Sequence, residues 1–223
     1  MPRLDRVHAW RRRAAAGEVV SQAAKPTVLF LAFLPNNFLP SYSGIVSDLA
    51  WTTLCRESYG AACRLARKHP DIDVIIRPRS YEIPDVKALL AHEGPPPMNL
   101  RIVAEGDVAA LIEACWVICG HNTTVMLEGL AAGKPVVEPR FAEACDPRYK
   151  GYIVDLGDAV EYAVSAEDLV ARLTAHCATP APIAAELIAP AYAALAKWTG
   201  NADGRAGERT RAALLAELEG AAR

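Results

Sequence analysis

Neither sign of charge dominates this chain. Its 223 residues carry 24 Lys and Arg against 26 Asp and Glu, for a formal net charge of -2. So even a balance gives no reason to expect a nucleic-acid surface. Long hydrophobic runs are missing as well. The run from Val28 to Leu34 has seven apolar residues, too few to cross a bilayer, and suits an interior strand. A protein lying on a membrane surface would share this composition, so peripheral association stays open. The six cysteines, at 55, 63, 115, 119, 145 and 177, do not follow a zinc-ribbon spacing. No metal site and no cofactor is expected from them. With no secretory leader they read as reduced, mostly buried thiols, which points to the cytoplasm. Repeats and low-complexity tracts are likewise lacking, and 52% of the residues are apolar. The length suits one large domain or two small ones with a continuous core.

What the chain does contain is one unbroken unit from Cys115 to Pro139. Trp116 to Cys119 reads as a strand, Gly120 as a sharp turn, and a helix starts near Asn122. Asn122, Thr123 and Thr124 offer capping side chains, while Leu127, Leu130 and Ala131 fall three and four residues apart. Gly133 stops the helix and Pro135 to Val137 resumes as a second strand. This is a βαβ unit, with parallel strands and a right-handed crossover. In an open parallel sheet, ligands bind beyond the carboxyl ends of the strands. Gly120, His121, Asn122, Thr123 and Thr124 therefore become candidates for a phosphate site on free helix N–H groups, although Asn and Thr also cap helices that bind nothing.

The rest of the chain extends the same pattern. Residues 1 to 24 read as a helix and a linker, and 25 to 223 as the domain proper. A strand over Thr27 to Phe33 leads into a loop from Leu34 to Gly44, then a helix from Ile45 to Lys68. Asp73 to Ile76, Leu100 to Val103 and Gly151 to Asp155 read as strands, the last on an edge. Helices are expected at Asp85 to Ala91, Asp107 to Ala114, Ala166 to Cys177, Ala184 to Trp198 and Arg205 to Gly220. The fold class is α/β, a Rossmann-like open parallel sheet with helices on both faces.

Polar groups collect at the strand ends. Pro35 to Asn37 follow the first strand, Arg77 and Arg79 the second, Glu105 the third, and Glu138 with Arg140 the fifth. Arginine suits such a rim because a guanidinium grips phosphate bidentately and neutralises a diphosphate leaving group, though an interdomain salt bridge would use the same residue. Glu128, one helical turn on from Thr124, either accepts ribose hydroxyl protons or faces solvent, and Glu138 has a similar choice. His121 either donates to phosphate or caps. The basic run Arg11 to Arg13, with Arg3 and Arg6 before it, reads as a solvated helix or an anionic contact. The segment from Trp198 to Arg209 is either a ligand-facing latch or a salt-bridged cap under the domain.

The turn Gly120-His-Asn-Thr-Thr124 and the sequence Glu128-Gly-Leu-Ala-Ala-Gly-Lys-Pro135 resemble the donor-binding half of GT-B glycosyltransferases. The nearest likeness is to capsule and surface polysaccharide biosynthesis proteins and the CDP-glycerol glycerophosphotransferases, with a looser one to UDP-GlcNAc 2-epimerases. It spans about 25 to 215 and includes Asp203-Gly204-Arg205 through Glu208-Arg209. The resemblance implies a nucleotide-activated sugar or polyol phosphate as ligand. It places the diphosphate at His121 to Thr124, the ribose at Glu128, and catalytic stabilisation of the departing diphosphate at Arg77 and Arg79. Where capsule-type relatives carry a Pro-His-Pro, this chain has Arg77-Pro78-Arg79-Ser80. No second sheet for an acceptor domain fits, so a second copy or a separate domain would complete the cleft. A noncatalytic nucleotide-binding or assembly protein, or a 2-epimerase-like enzyme, is the alternative.

Overall fold

The computed structural model describes residues 1–221 apart from 21, 38, 41–43, 45 and 46. Six parallel strands form one sheet in the order β3-β2-β1-β4-β5-β6. They are β1 (Thr27–Leu31), β2 (Asp73–Arg77), β3 (Leu100–Ile102), β4 (Val117–Cys119), β5 (Val136–Pro139) and β6 (Glu161–Ala163). The helices are α1 (Leu4–Ala15), α2 (Thr52–Lys68), α3 (Ile83–Ala91), α4 (Val108–Ala114), α5 (Thr124–Ala131), α6 (Ala166–Ala178), α7 (Ala189–Thr199) and α8 (Ala206–Ala221).

Strand periodicity explains the layers. Alternate residues of β1 point to opposite faces, and both faces are apolar. Val28 and Phe30 join Val74, Ile76, Val117 and Cys119 in a core under α2 and α6. Leu29 and Leu31 join Ile75, Ile118 and Val136 in the other, roofed by α1, α5 and α7. Leu4, Val7 and Trp10 of α1 are buried in this second core. Beyond α1, Gln22 donates to the carbonyl of Ala181 and the Ala23 N–H to that of Ala114. Arg11 is only 4% exposed, against a surface reading of the basic run. Five cysteines are buried and Cys145 is exposed.

The two ends of the described chain meet. Asp5 of α1 accepts from the Ala206 and Gly207 N–H groups at the start of α8 and from the Asn201 amide. His8 bonds the Asn201 carbonyl at 3.1 Å. Gly204 has φ +74°, and a Cβ there would lie 2.6 Å from the His8 Cβ, so both the turn and the approach of α1 require glycine. Arg209 pairs with Asp203 and donates to the Gly200 carbonyl, and Arg205 pairs with Glu208. The segment from Trp198 to Arg209 is thus a salt-bridged cap beneath α1.

Three expected elements move. The edge strand is β6, paired to Val137–Pro139, and not Gly151 to Asp155, which lies partly in a 3-10 turn over Pro147–Tyr152. The helix expected from Ile45 starts at Thr52, with residues 45 and 46 outside the described set. Its free Thr53 and Leu54 N–H groups are capped by the distant Glu143 carboxylate. The helix expected from Ala184 starts at Ala189, where Pro190 occupies the first turn. Residues 38 and 41–43 of the loop after β1 also lie outside the described set.

Candidate functional site

The order of the sheet reverses direction between β1 and β4, and ligand crevices in such sheets form at that point, beyond the strand carboxyl ends. A crevice of about 450 Å³ lies there, walled by Ala32, Asn37, Arg77 to Ser80, Glu82, Ala104, Val108 and Thr123 to Val125, with Arg3 across it.

Its floor is the turn into α5. Gly120 is needed where a Cβ would sit 3.2 Å from Leu31 and 3.3 Å from Met126. Asn122 adopts φ +52°, a left-handed conformation that Asn tolerates better than most residues. Its side-chain amide donates to the Tyr152 carbonyl at 2.6 Å and accepts from the Val154 N–H at 2.8 Å. Thr123 is the cap of α5, accepting from the Val125 N–H at 3.4 Å. Thr124 opens the helix, and its Oγ1 accepts from Arg3 Nη2 at 3.0 Å.

The two arginines after β2 behave differently. Arg77 donates through Nη1 to the Val103 and Glu105 carbonyls and through Nη2 to the Gly106 carbonyl, so it shapes the loop that forms one wall. Arg79 is half exposed, donates to Tyr81 Oη at 2.9 Å and pairs with buried Glu82 at 3.2 Å. The Glu82 carboxylate also accepts from the Arg79 N–H, which fixes the turn that aims the guanidinium.

The remaining candidates separate from the crevice. His121 and Glu138 are each 1% exposed and bond to each other, Nδ1 to Oε1, at 3.0 Å. His121 also packs against Phe33 and Trp51, and its Nε2 meets no hydrogen-bond partner among the described residues. Arg140 approaches Glu138 to 3.6 Å and lies over the Tyr162 ring. Glu128 does not face solvent: it is 5% exposed and pairs with Arg3 Nη2 at 2.8 Å. Burial raises its carboxyl pKa above the ordinary value, and the Arg3 guanidinium opposes that. Asp107 caps α4 and is held below the ordinary carboxylate range by the Ala109 N–H and then by Arg6.

The structure therefore brings Thr123, Thr124, Arg77 and Arg79 to one crevice, joins Glu128 to it through Arg3, and leaves Gly120, His121, Asn122 and Glu138 in the supporting layer. From the sequence Arg3 reads only as part of a basic helix, solvated or in an anionic contact, and Glu82 is not singled out. An N-terminal arginine on a basic helix face looks like solvated surface, and nothing local marks Glu82 as buried. Among the described residues no group of three His, Cys, Asp or Glu side chains is placed to hold a metal ion, and no helix is long and apolar enough to cross a membrane.

No protein-family model matches the chain, and no curated protein does. Solved structures do. A putative UDP-N-acetylglucosamine 2-epimerase from Listeria monocytogenes is 12% identical with a TM-score of 0.54, over 88% of this chain and 46% of that one. The UDP-GlcNAc 2-epimerase of Neisseria meningitidis bound to UDP-GlcNAc is 13% identical at TM-score 0.50, over 84% and 48%. The wall teichoic acid polymerase TagF is 11% identical at TM-score 0.51, over 96% and 49%. The likeness establishes a shared Rossmann-like fold of the GT-B type. The chain spans about half the length of each of these proteins.

Proposed function

We propose that this chain binds a nucleotide-activated donor by its phosphates and forms the donor half of a transferase that moves a glycosyl or glycerophosphoryl group. The observation that carries the reading is the crevice at the reversal of strand order, where the start of α5 at Thr123 and Thr124 faces Arg77 and Arg79. A helix start presents free N–H groups and the positive end of its dipole to an anion. In group transfer from a nucleotide donor, negative charge grows on the departing diphosphate. Donors fixed in advance around that position lower the barrier without reorganising. Arg79 supplies charge from the rim, and Arg77 holds the wall formed by residues 103–106.

Transfer also needs an acceptor hydroxyl held opposite the donor and relieved of its proton. That part falls to a second domain or a second chain. The likeness to proteins about twice as long supports this division. Isothermal titration with CDP, UDP, GDP and CMP tests the reading. Micromolar binding of one of them, weakened about tenfold by Thr124→Ala or Arg79→Ala in protein that still folds, is expected. Absence of binding to all four, or unchanged affinity in both variants, overturns it.

A further inference from the structure

The Arg3 guanidinium stands at the start of α5, a place where a cation is electrostatically misplaced. Free N–H groups make that end of a helix positive, so a cation there is disfavoured unless an anion compensates. Arg77 and Arg79 line the same crevice and add charge of the same sign. Two buried carboxylates hold two of the three guanidinium groups: Glu82, 2% exposed, pairs with Arg79, and Glu128, 5% exposed, pairs with Arg3. Arg77, which donates to three backbone carbonyls and is close enough to Asp107 to lower its pKa, adds a third positive charge beside the start of α5.

Arg3 is also held there on purpose by its own helix. Leu4 and Val7 are buried against the core, and Asp5 is fixed at the start of α8 by Ala206, Gly207 and Asn201. The backbone that carries Arg3 is therefore anchored on both sides, while the side chain is 53% exposed and reaches Thr124 and Glu128 only through Nη2. A guanidinium has further N–H groups in a planar fork, and a phosphate accepts two of them at once.

We infer that Arg3 is a phosphate-binding residue of the crevice, contributed by the N-terminal helix, and that on ligand binding it exchanges the Glu128 carboxylate for a phosphate oxygen. This rests on the donor-site reading above for the ligand class, a diphosphate ester, but the anion alone suffices to test it.

The experiment is titration of the full chain with inorganic pyrophosphate and with the four nucleotides. The variants are Arg3→Ala, Arg3→Lys, Glu128→Gln, Thr124→Ala, and Arg6→Ala as a control on the same helix whose partner is Asp107. Arg3→Ala should weaken pyrophosphate binding about tenfold in protein that still folds, Arg3→Lys should recover part of it, and Arg6→Ala should leave it as in the wild type. Glu128→Gln frees Arg3, so it should tighten pyrophosphate binding several-fold. Wild-type affinity in Arg3→Ala, with loss in Thr124→Ala, overturns the role of Arg3 and leaves the donor site standing. Equal or weaker pyrophosphate binding in Glu128→Gln overturns the exchange of partners. Failure of the wild type to bind pyrophosphate or any nucleotide overturns both.

Discussion

At the scale of single residues, the turn after β4 divides its work between neighbours. Thr123 and Thr124 open onto the crevice, whereas His121 turns into the core to meet Glu138. A carboxylate buried to 1% exposure needs its hydrogen bond, because removing one partner strands the charge in a poorly polarisable interior. His121→Ala should therefore cost about 3 kcal/mol of stability, an effect read from the denaturation midpoint. Thr124→Ala should shift that midpoint little while weakening nucleotide binding. Comparable stability losses in the two would show that the turn is one structural unit. The sequence showed this turn clearly, since Gly120 and the cluster Asn-Thr-Thr have few other uses between a strand and a helix. It could not show which of the four side chains after Gly120 face outward, because that depends on the Tyr152 to Val154 segment that Asn122 ties down.

Element by element, the same segment explains the misplaced edge strand. Gly151 to Asp155 has strand composition, and it runs beside the sheet, but its polar backbone groups are met by a side chain: the Asn122 amide takes the Tyr152 carbonyl and the Val154 N–H as a neighbouring strand would. Pairing with β5 falls instead to Glu161–Ala163, three residues with little apolar character to announce them. The helices α4 and α5 were legible because caps and apolar spacing agree, with Asp107 and Thr123 accepting from N–H groups at the helix starts; Ser165 does the same for α6, whereas α3 has no side-chain cap. The start of α2 was not legible because its cap, Glu143, lies about 90 residues away in the chain. The start of α8 depends on Asp5 in the same way. Burial alone would raise the Asp5 carboxyl, but the Gly207 N–H, the Asn201 amide and the Ala206 N–H outweigh it, and the group sits below the ordinary 3.8. A carboxylate depressed in the folded state stabilises it above the ordinary value, and that contribution disappears as pH falls through the folded value. The unfolding free energy should accordingly fall more steeply below about pH 4 in the wild type than in Asp5→Asn. Parallel pH profiles would exclude the latch.

For the whole molecule, the parallel sheet and the helices on both its faces followed from alternation of strand and helix, but the order of the strands and the closure of the N-terminal helix on the chain's far end did not. No local pattern links Asp5 with Ala206, or His8 with Gly204. Closure nevertheless joins the cap to the crevice, because the helix fixed by Asp5 and His8 carries Arg3. Gly204→Ala forces a Cβ against His8 and disfavours φ +74°. The expected result is faster amide hydrogen exchange in α1 and weaker pyrophosphate binding, with the protection of β1 and β4 retained. Unchanged exchange in α1 would mean that the two ends are independent.

The distribution of thiols gives this molecule a clock. Cys55, Cys63, Cys115, Cys119 and Cys177 are enclosed, and burial pushes all five up, Cys115 and Cys177 to about 12, so they carry almost no reactive thiolate while folded. Cys145 alone is exposed. A maleimide dye should therefore add once within minutes and then wait. Each later addition, timed by intact mass, would mark an opening of the layer that holds that sulfur: Cys63 for α2, Cys177 for α6, and Cys119 for the centre of the sheet.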